Sequence, residues 1–170
     1  MNLITSPSYS MLLNGSLYLP FRPSKGIRQG DPLSPFLFVL MAEGLIRLLH
    51  SAISSHSLKG ISLHGLSPLS HQQFVDDTML FGHPSVQEAS ALLDLLNLFS
   101  EASGTSINAT KSQLFFFNTP SLTQNNISRI LGFPLATLPS KYLGAPLIIT
   151  TNKHASWRIL LDKIESRLSS

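Results

Sequence analysis

Residues 73–81 read Gln73-Phe74-Val75-Asp76-Asp77-Thr78-Met79-Leu80-Phe81, two adjacent carboxylates inside an apolar run. Carboxylate oxygen is what hard divalent cations such as Mg²⁺ select, and such ions keep waters that a substrate phosphate can replace. Two of them clamp the attacking and leaving oxygens of a phosphoryl displacement. Adjacent aspartates also make an ordinary solvated turn, so the pair gains meaning only from its surroundings. A second group of residues is basic. Arg22, Lys25 and Arg28 stand where Pro20, Pro23 and Gly26 break regular structure, with no acidic residue upstream. Such a loop can meet phosphates or simply be solvated. Its continuation, Gly26 to Pro35, sets Arg28, Gln29 and Gly30 just ahead of a helix start, where backbone N–H groups attract phosphate.

The elements that must position these groups are legible in outline. Aromatic and β-branched residues on both sides of Asp76-Asp77 predict two short strands joined by a turn at the two aspartates, anchored by buried neighbours. Asn14-Gly15, between Tyr9–Leu13 and Ser16–Leu19, predicts an earlier hairpin with a two-residue turn. Asp31 or Ser34 is a candidate cap for a helix over 33–50, with proline in its first turn. Phe36, Leu37, Leu40, Met41, Gly44, Leu45 and Leu48 recur at three- and four-residue steps and predict its core-facing stripe. A short strand is expected around Lys59 to Leu63. Ser85-Val86-Gln87-Glu88 has the pattern of a capping box, and Gly104 that of a C-terminal stop, for a helix over 86–103. Leu114 to Phe117 predicts a strand, and 124–131 a helix stopped by Gly132. Lys141 to Leu147 predicts a strand or tight ribbon. Residues 155–168 predict a last helix with Trp157, Leu160, Leu161, Ile164 and Leu168 on its apolar face.

Composition bounds the answer. The 170 residues are 43% hydrophobic and only 12% charged, enough for one domain with a real core and too apolar for disorder. A net charge of +3 fits a polyanion without requiring one. With no cysteine there is neither a disulfide nor a thiolate metal site. The six histidines are scattered, with no pair at ligand spacing on a convincing helix, and read as surface or loop residues. No signal peptide is visible, and the apolar run from Phe36 stops at Glu43, so no membrane span is expected.

Two ordered motifs carry a family resemblance. Gly26-Ile27-Arg28-Gln29-Gly30-Asp31-Pro32-Leu33-Ser34-Pro35 resembles the Gly-x-x-Gln-Gly-x-x-x-Ser-Pro signature of reverse transcriptases, and Phe74-Val75-Asp76-Asp77 resembles their aromatic-x-Asp-Asp box. The surrounding wording, including Leu37 to Leu45 and Lys141-Tyr142-Leu143-Gly144, is similar to plant LINE-type (non-LTR) retrotransposons. The resemblance implies an α+β fold, a palm fragment whose antiparallel sheet bears the Asp76-Asp77 hairpin with helices packed on one face. It implies a palm over 1–150 and the start of a thumb helix over 151–170. It implies Mg²⁺ or Mn²⁺ held by Asp76 and Asp77, with Asp76 the main ligand. Lys25, Arg28, Gln29 and Gly30 would then lie along the nucleic acid and nucleotide. Lys111 would stand near the triphosphate as proton donor to pyrophosphate, and Lys141 to Pro146 would form the primer grip. The implied partners are an RNA template, a DNA primer and deoxynucleoside triphosphates.

One departure shapes the expected activity. The family's palm has a third metal-binding aspartate well upstream of the Gln-Gly loop, whereas the first carboxylate of this chain is Asp31. The expectation is a truncated copy of an element, inactive alone. The rivals are a nucleic-acid-binding remnant using Arg22, Lys25, Arg28 and Lys111 without catalysis, and an enzyme completed by a separate chain.

Overall fold

A computed structural model describes residues 7–24, 26–62, 65, 67–136, 141–143, 145–146 and 153–168. The chain divides into two compact units, Met1–Ile107 and Asn108–Ser170. Helices and small antiparallel ribbons make an α+β mixture. The single sheet expected from sequence is replaced, among the described residues, by three separate two-stranded ribbons.

The first unit opens on β1 (Leu12–Leu13) and β2 (Ser16–Leu17). Asn14 and Gly15 take φ of 49° and 80°, the paired positive values that a two-residue turn matched to strand twist demands. Below them Tyr9 and Phe21 bridge through both backbone hydrogen bonds and stack at 5.9 Å. Helix α1 (Ser34–Ser54) runs four residues beyond its expected end. Neither expected residue caps it. The cap position is Leu33, Asp31 Oδ1 accepts from the Leu33 N–H at 2.8 Å, and Ser34 is already helical, its hydroxyl donating back to the Arg28 carbonyl at 2.5 Å.

Of the expected stripe, Leu45 is buried, together with Leu49, but Phe36 and Leu40 are 73% and 70% exposed. The true core line lies on the C-terminal half of α1, where it packs on α2 (Val86–Ser103) through Ala89, Leu95 and Leu96 of that helix. An 18-residue window of α1 has mean hydropathy 1.7 and is only 11% buried, so by length and composition α1 could cross a bilayer. The expectation of no span rested on the apolar run from Phe36, which stops at Glu43. Glu43, which ends that run, is paired with Arg47 at 2.8 Å.

Helix α2 begins and ends where expected, with Ser85 Oγ accepting from the Glu88 N–H and Gly104 at φ 69°. The capping box is only half formed. Glu88 turns away from the Ser85 N–H and accepts from the backbone N–H groups of His83 (3.1 Å) and Lys59 (3.3 Å). The strand expected at 59–63 is a single bridge, Ile61 to Leu69, with Leu63 outside the described residues.

In the second unit, α3 (Ser121–Leu131) starts three residues early and stops at Gly132, φ 73°. Ile127 and Leu131 are its buried face. The expected strand 114–117 is one parallel bridge, Leu114 to Leu135. The 141–147 stretch is a tight ribbon of β5 (Lys141–Tyr142) and β6 (Ala145–Pro146), with Gly144 and Leu147 outside the described residues. Helix α4 (Lys153–Leu168) contacts β6. Its expected apolar residues Leu161, Ile164 and Leu168 are exposed, and the side chains of Trp157 and Leu160 fall outside those described.

Candidate metal and nucleotide site

The two carboxylates sit on a hairpin of β3 (His71–Phe74) and β4 (Asp77–Leu80), paired His71 to Leu80 through Phe74 to Asp77. This shifts the turn by one residue from the expectation. Val75 and Asp76 make the turn, while Asp77 is already the first residue of β4 and faces Phe74 across the ladder. Val75 has φ 51°, a left-handed conformation that a β-branched side chain rarely adopts. Strain of this kind costs on the order of 1–3 kcal/mol and persists only where the flanking structure imposes it. The expected buried neighbours are absent at the tip, since Phe74 and Val75 are 57% and 59% exposed. Asp76 and Asp77 are exposed as well, and among the described residues no hydrogen bond or ion pair engages either carboxylate.

What holds the hairpin is its root. Ser70 is buried and continues the ladder by accepting from the Phe81 N–H at 2.8 Å. Leu69 pairs with Ile61, and Gly60 lies so close beneath that a Cβ there would stand 2.7 Å from the Leu69 carbonyl oxygen. The Glu88 carboxylate, 6% exposed, ties Lys59 and His83 on either side of this root.

Arg28, Gln29 and Gly30 share one exposed loop. Gly26 and Gly30 have φ of 88° and 81°, and nothing lies within 4 Å of a Cβ placed on either. Left-handed φ is what glycine supplies at both positions. The Arg28 carbonyl is tied down by the Ser34 hydroxyl, and Arg28 lines a cleft together with Pro7, Tyr9, Pro23, Ile27 and Asp31. Lys25 lies outside the described residues. Among the described residues no hydrogen bond or ion pair joins this loop to Asp76 or Asp77.

Lys111 belongs to the second unit and is exposed on a turn built by Asn108. The Asn108 Oδ1 accepts from the N–H groups of Thr110 (3.1 Å) and Lys111 (3.2 Å) and from the Thr110 hydroxyl (2.6 Å). This is the local geometry that Asn favours. Among the described residues no group of three or more His, Asp or Glu side chains could together hold a metal ion.

Two features escaped the sequence reading. His50 and His71 meet with ring centres 6.0 Å apart, although nothing in their linear spacing pairs them. Glu88 was read as half of a capping box, and no local pattern announces that it reaches back to Lys59.

Residues 3–147 match the family described as reverse transcriptase (RNA-dependent DNA polymerase). An uncharacterised mitochondrial protein of Arabidopsis thaliana is 44% identical over 68 residues, 39% of this chain and 56% of that protein. A retrovirus-related Pol polyprotein from a type-2 retrotransposable element of Drosophila melanogaster is 35% identical over 91 residues, 54% of this chain and 8% of the polyprotein. The chain thus spans about half of one curated relative and under a tenth of the other. The matched segment takes in both the Gln29-Gly30 loop and the Asp76-Asp77 hairpin, and the chain belongs to the reverse transcriptase family.

Proposed function

We propose that this chain is the palm part, with the start of a thumb, of an RNA-directed DNA polymerase from a plant LINE-type retrotransposon. Residues 1–150 form the palm portion in this reading, and 151–170 the first thumb helix. The observation that carries it is the display of Asp76 and Asp77, exposed and unengaged, at the tip of a hairpin whose root is tied down. Their donor chemistry fits Mg²⁺ or Mn²⁺, because both offer carboxylate oxygen and neither is taken by a neighbouring cation. When bound, the ions neutralise charge on the transferred phosphoryl group and favour ionisation of the attacking hydroxyl.

The remaining roles fall to the chain's own groups. Asp76 is the main ligand and Asp77 the second. Lys25 and Arg28 hold phosphates of template or nucleotide, and the Gln29-Gly30 loop lies against the template strand. Lys111 gives a proton to the departing pyrophosphate. Partners of this kind, RNA template, DNA primer and nucleoside triphosphates, place the reaction inside the cell.

In this reading the chain by itself does not extend a primer, because Asp76 and Asp77 alone leave a two-ion site short of carboxylate donors. Primer extension on RNA with Mg²⁺ or Mn²⁺ tests this. No product above background is expected, and extension that disappears in Asp76→Ala would overturn the claim of inactivity. The absence of a three-ligand cluster among the described residues also favours a second reading, a non-catalytic nucleic-acid binder. Binding of that kind weakens steeply with salt, and an Arg28→Ala/Lys111→Ala variant would flatten the dependence.

A further inference from the structure

His50, in the last turns of α1, and His71, the first residue of β3, come from different elements, yet their rings approach to 6.0 Å with planes inclined at 57°. Two imidazoles bound to one Zn²⁺ through bonds of about 2.0–2.1 Å have ring centres roughly 5–6 Å apart. The buried Ser70 hydroxyl lies 2.9 Å from His71 Nδ1. With hydrogen on Nδ1, that contact turns the Nε2 lone pair free, which is how a hydroxyl or carbonyl commonly orients a metal-ligating imidazole. The nearest cation along α1, Arg47, is already matched by Glu43.

We propose that His50 and His71 form a two-imidazole site for a late first-row divalent cation, Zn²⁺, Ni²⁺ or Cu²⁺, with water filling the other positions. The bound ion clips the end of α1 to the root of the hairpin that carries Asp76 and Asp77. Imidazole selects such ions, whereas carboxylate oxygen selects Mg²⁺ and Mn²⁺. The site therefore stands or falls independently of the polymerase reading.

Calorimetric titration of the full chain with ZnCl₂ is the test, alongside its melting temperature with and without the metal. Saturable binding at one ion per chain is expected, with a rise in melting temperature. His50→Gln and His71→Gln should each weaken binding tenfold or more and abolish the rise, while Asp76→Asn/Asp77→Asn leaves both unchanged. Equal binding by the parent and the His50→Gln/His71→Gln variant would overturn the proposal. Should those variants unfold, the parent alone decides through NMR of its histidine rings. Trace Cu²⁺ should broaden His50 and His71 first among the six histidines, and broadening elsewhere first would refute the site.

Discussion

The two ends of the β3–β4 hairpin differ in almost every respect. At the root, Ser70 and Glu88 are buried, Gly60 leaves no room for a Cβ beside the Leu69 carbonyl, and His71 leans on His50. At the tip, Phe74, Val75, Asp76 and Asp77 are all exposed, and Val75 holds a backbone conformation its side chain resists. The contrast shows how a small ribbon presents charged groups. The root is held by burial and hydrogen bonds, while the Asp76 and Asp77 carboxylates are exposed and, among the described residues, engaged by no protein partner.

The comparison breaks first if the root proves soft. Gly60→Ala combines φ 66° with a 2.7 Å approach to backbone oxygen, and a loss of about 3 kcal/mol in urea unfolding is expected. A change near zero would mean the root relaxes freely. Glu88→Ala strips the acceptor from two backbone N–H groups. It should cost about 2 kcal/mol, with Glu88→Gln losing less because its amide oxygen still accepts. Equal losses in the two variants would show that side-chain volume, not hydrogen bonding, is what matters.

At the tip the sign reverses. Val75→Gly should stabilise the chain by about 1 kcal/mol or less by releasing the positive φ, and a loss there would mean that the Val75 side chain packs usefully. The smallest effect belongs to pH. The His71 pKa is lowered by burial and then by His50, so the unfolded chain takes up its proton more readily than the folded one. Measured in chelator, stability should hold above about pH 6.5, fall as pH drops through that value, and level off below the depressed folded pKa. His71→Gln should remove this slope, and an unchanged slope would assign it to another group.

Much of the framework was readable from local rules. Asn14-Gly15 fixed a hairpin, and Ser85 with Gly104 bounded a helix to the residue, because turn and cap chemistry is decided within four residues. The Asp76-Asp77 pair and the Gln29-Gly30 loop stood out in the sequence as candidate site residues. What was hidden depends on contacts distant in sequence. Periodicity put Phe36 and Leu40 in the core, but the partner helix reaches only the line of Leu45 and Leu49. The one-residue shift of the turn onto Val75 was unreadable because a β-branched residue at positive φ runs against propensity. The His50–His71 contact and the reach of Glu88 to Lys59 exist only once the chain has folded back.

Mn²⁺ titration by paramagnetic line broadening, in the parent and in Asp76→Asn/Asp77→Asn, tests most directly whether the tip is a divalent-ion site. The account predicts broadening centred on 74–78, with affinity no tighter than about millimolar for a pair of carboxylates lacking a third ligand, and its loss in the double variant. Broadening that persists unchanged in the double variant would contradict it and leave the pair an ordinary solvated turn.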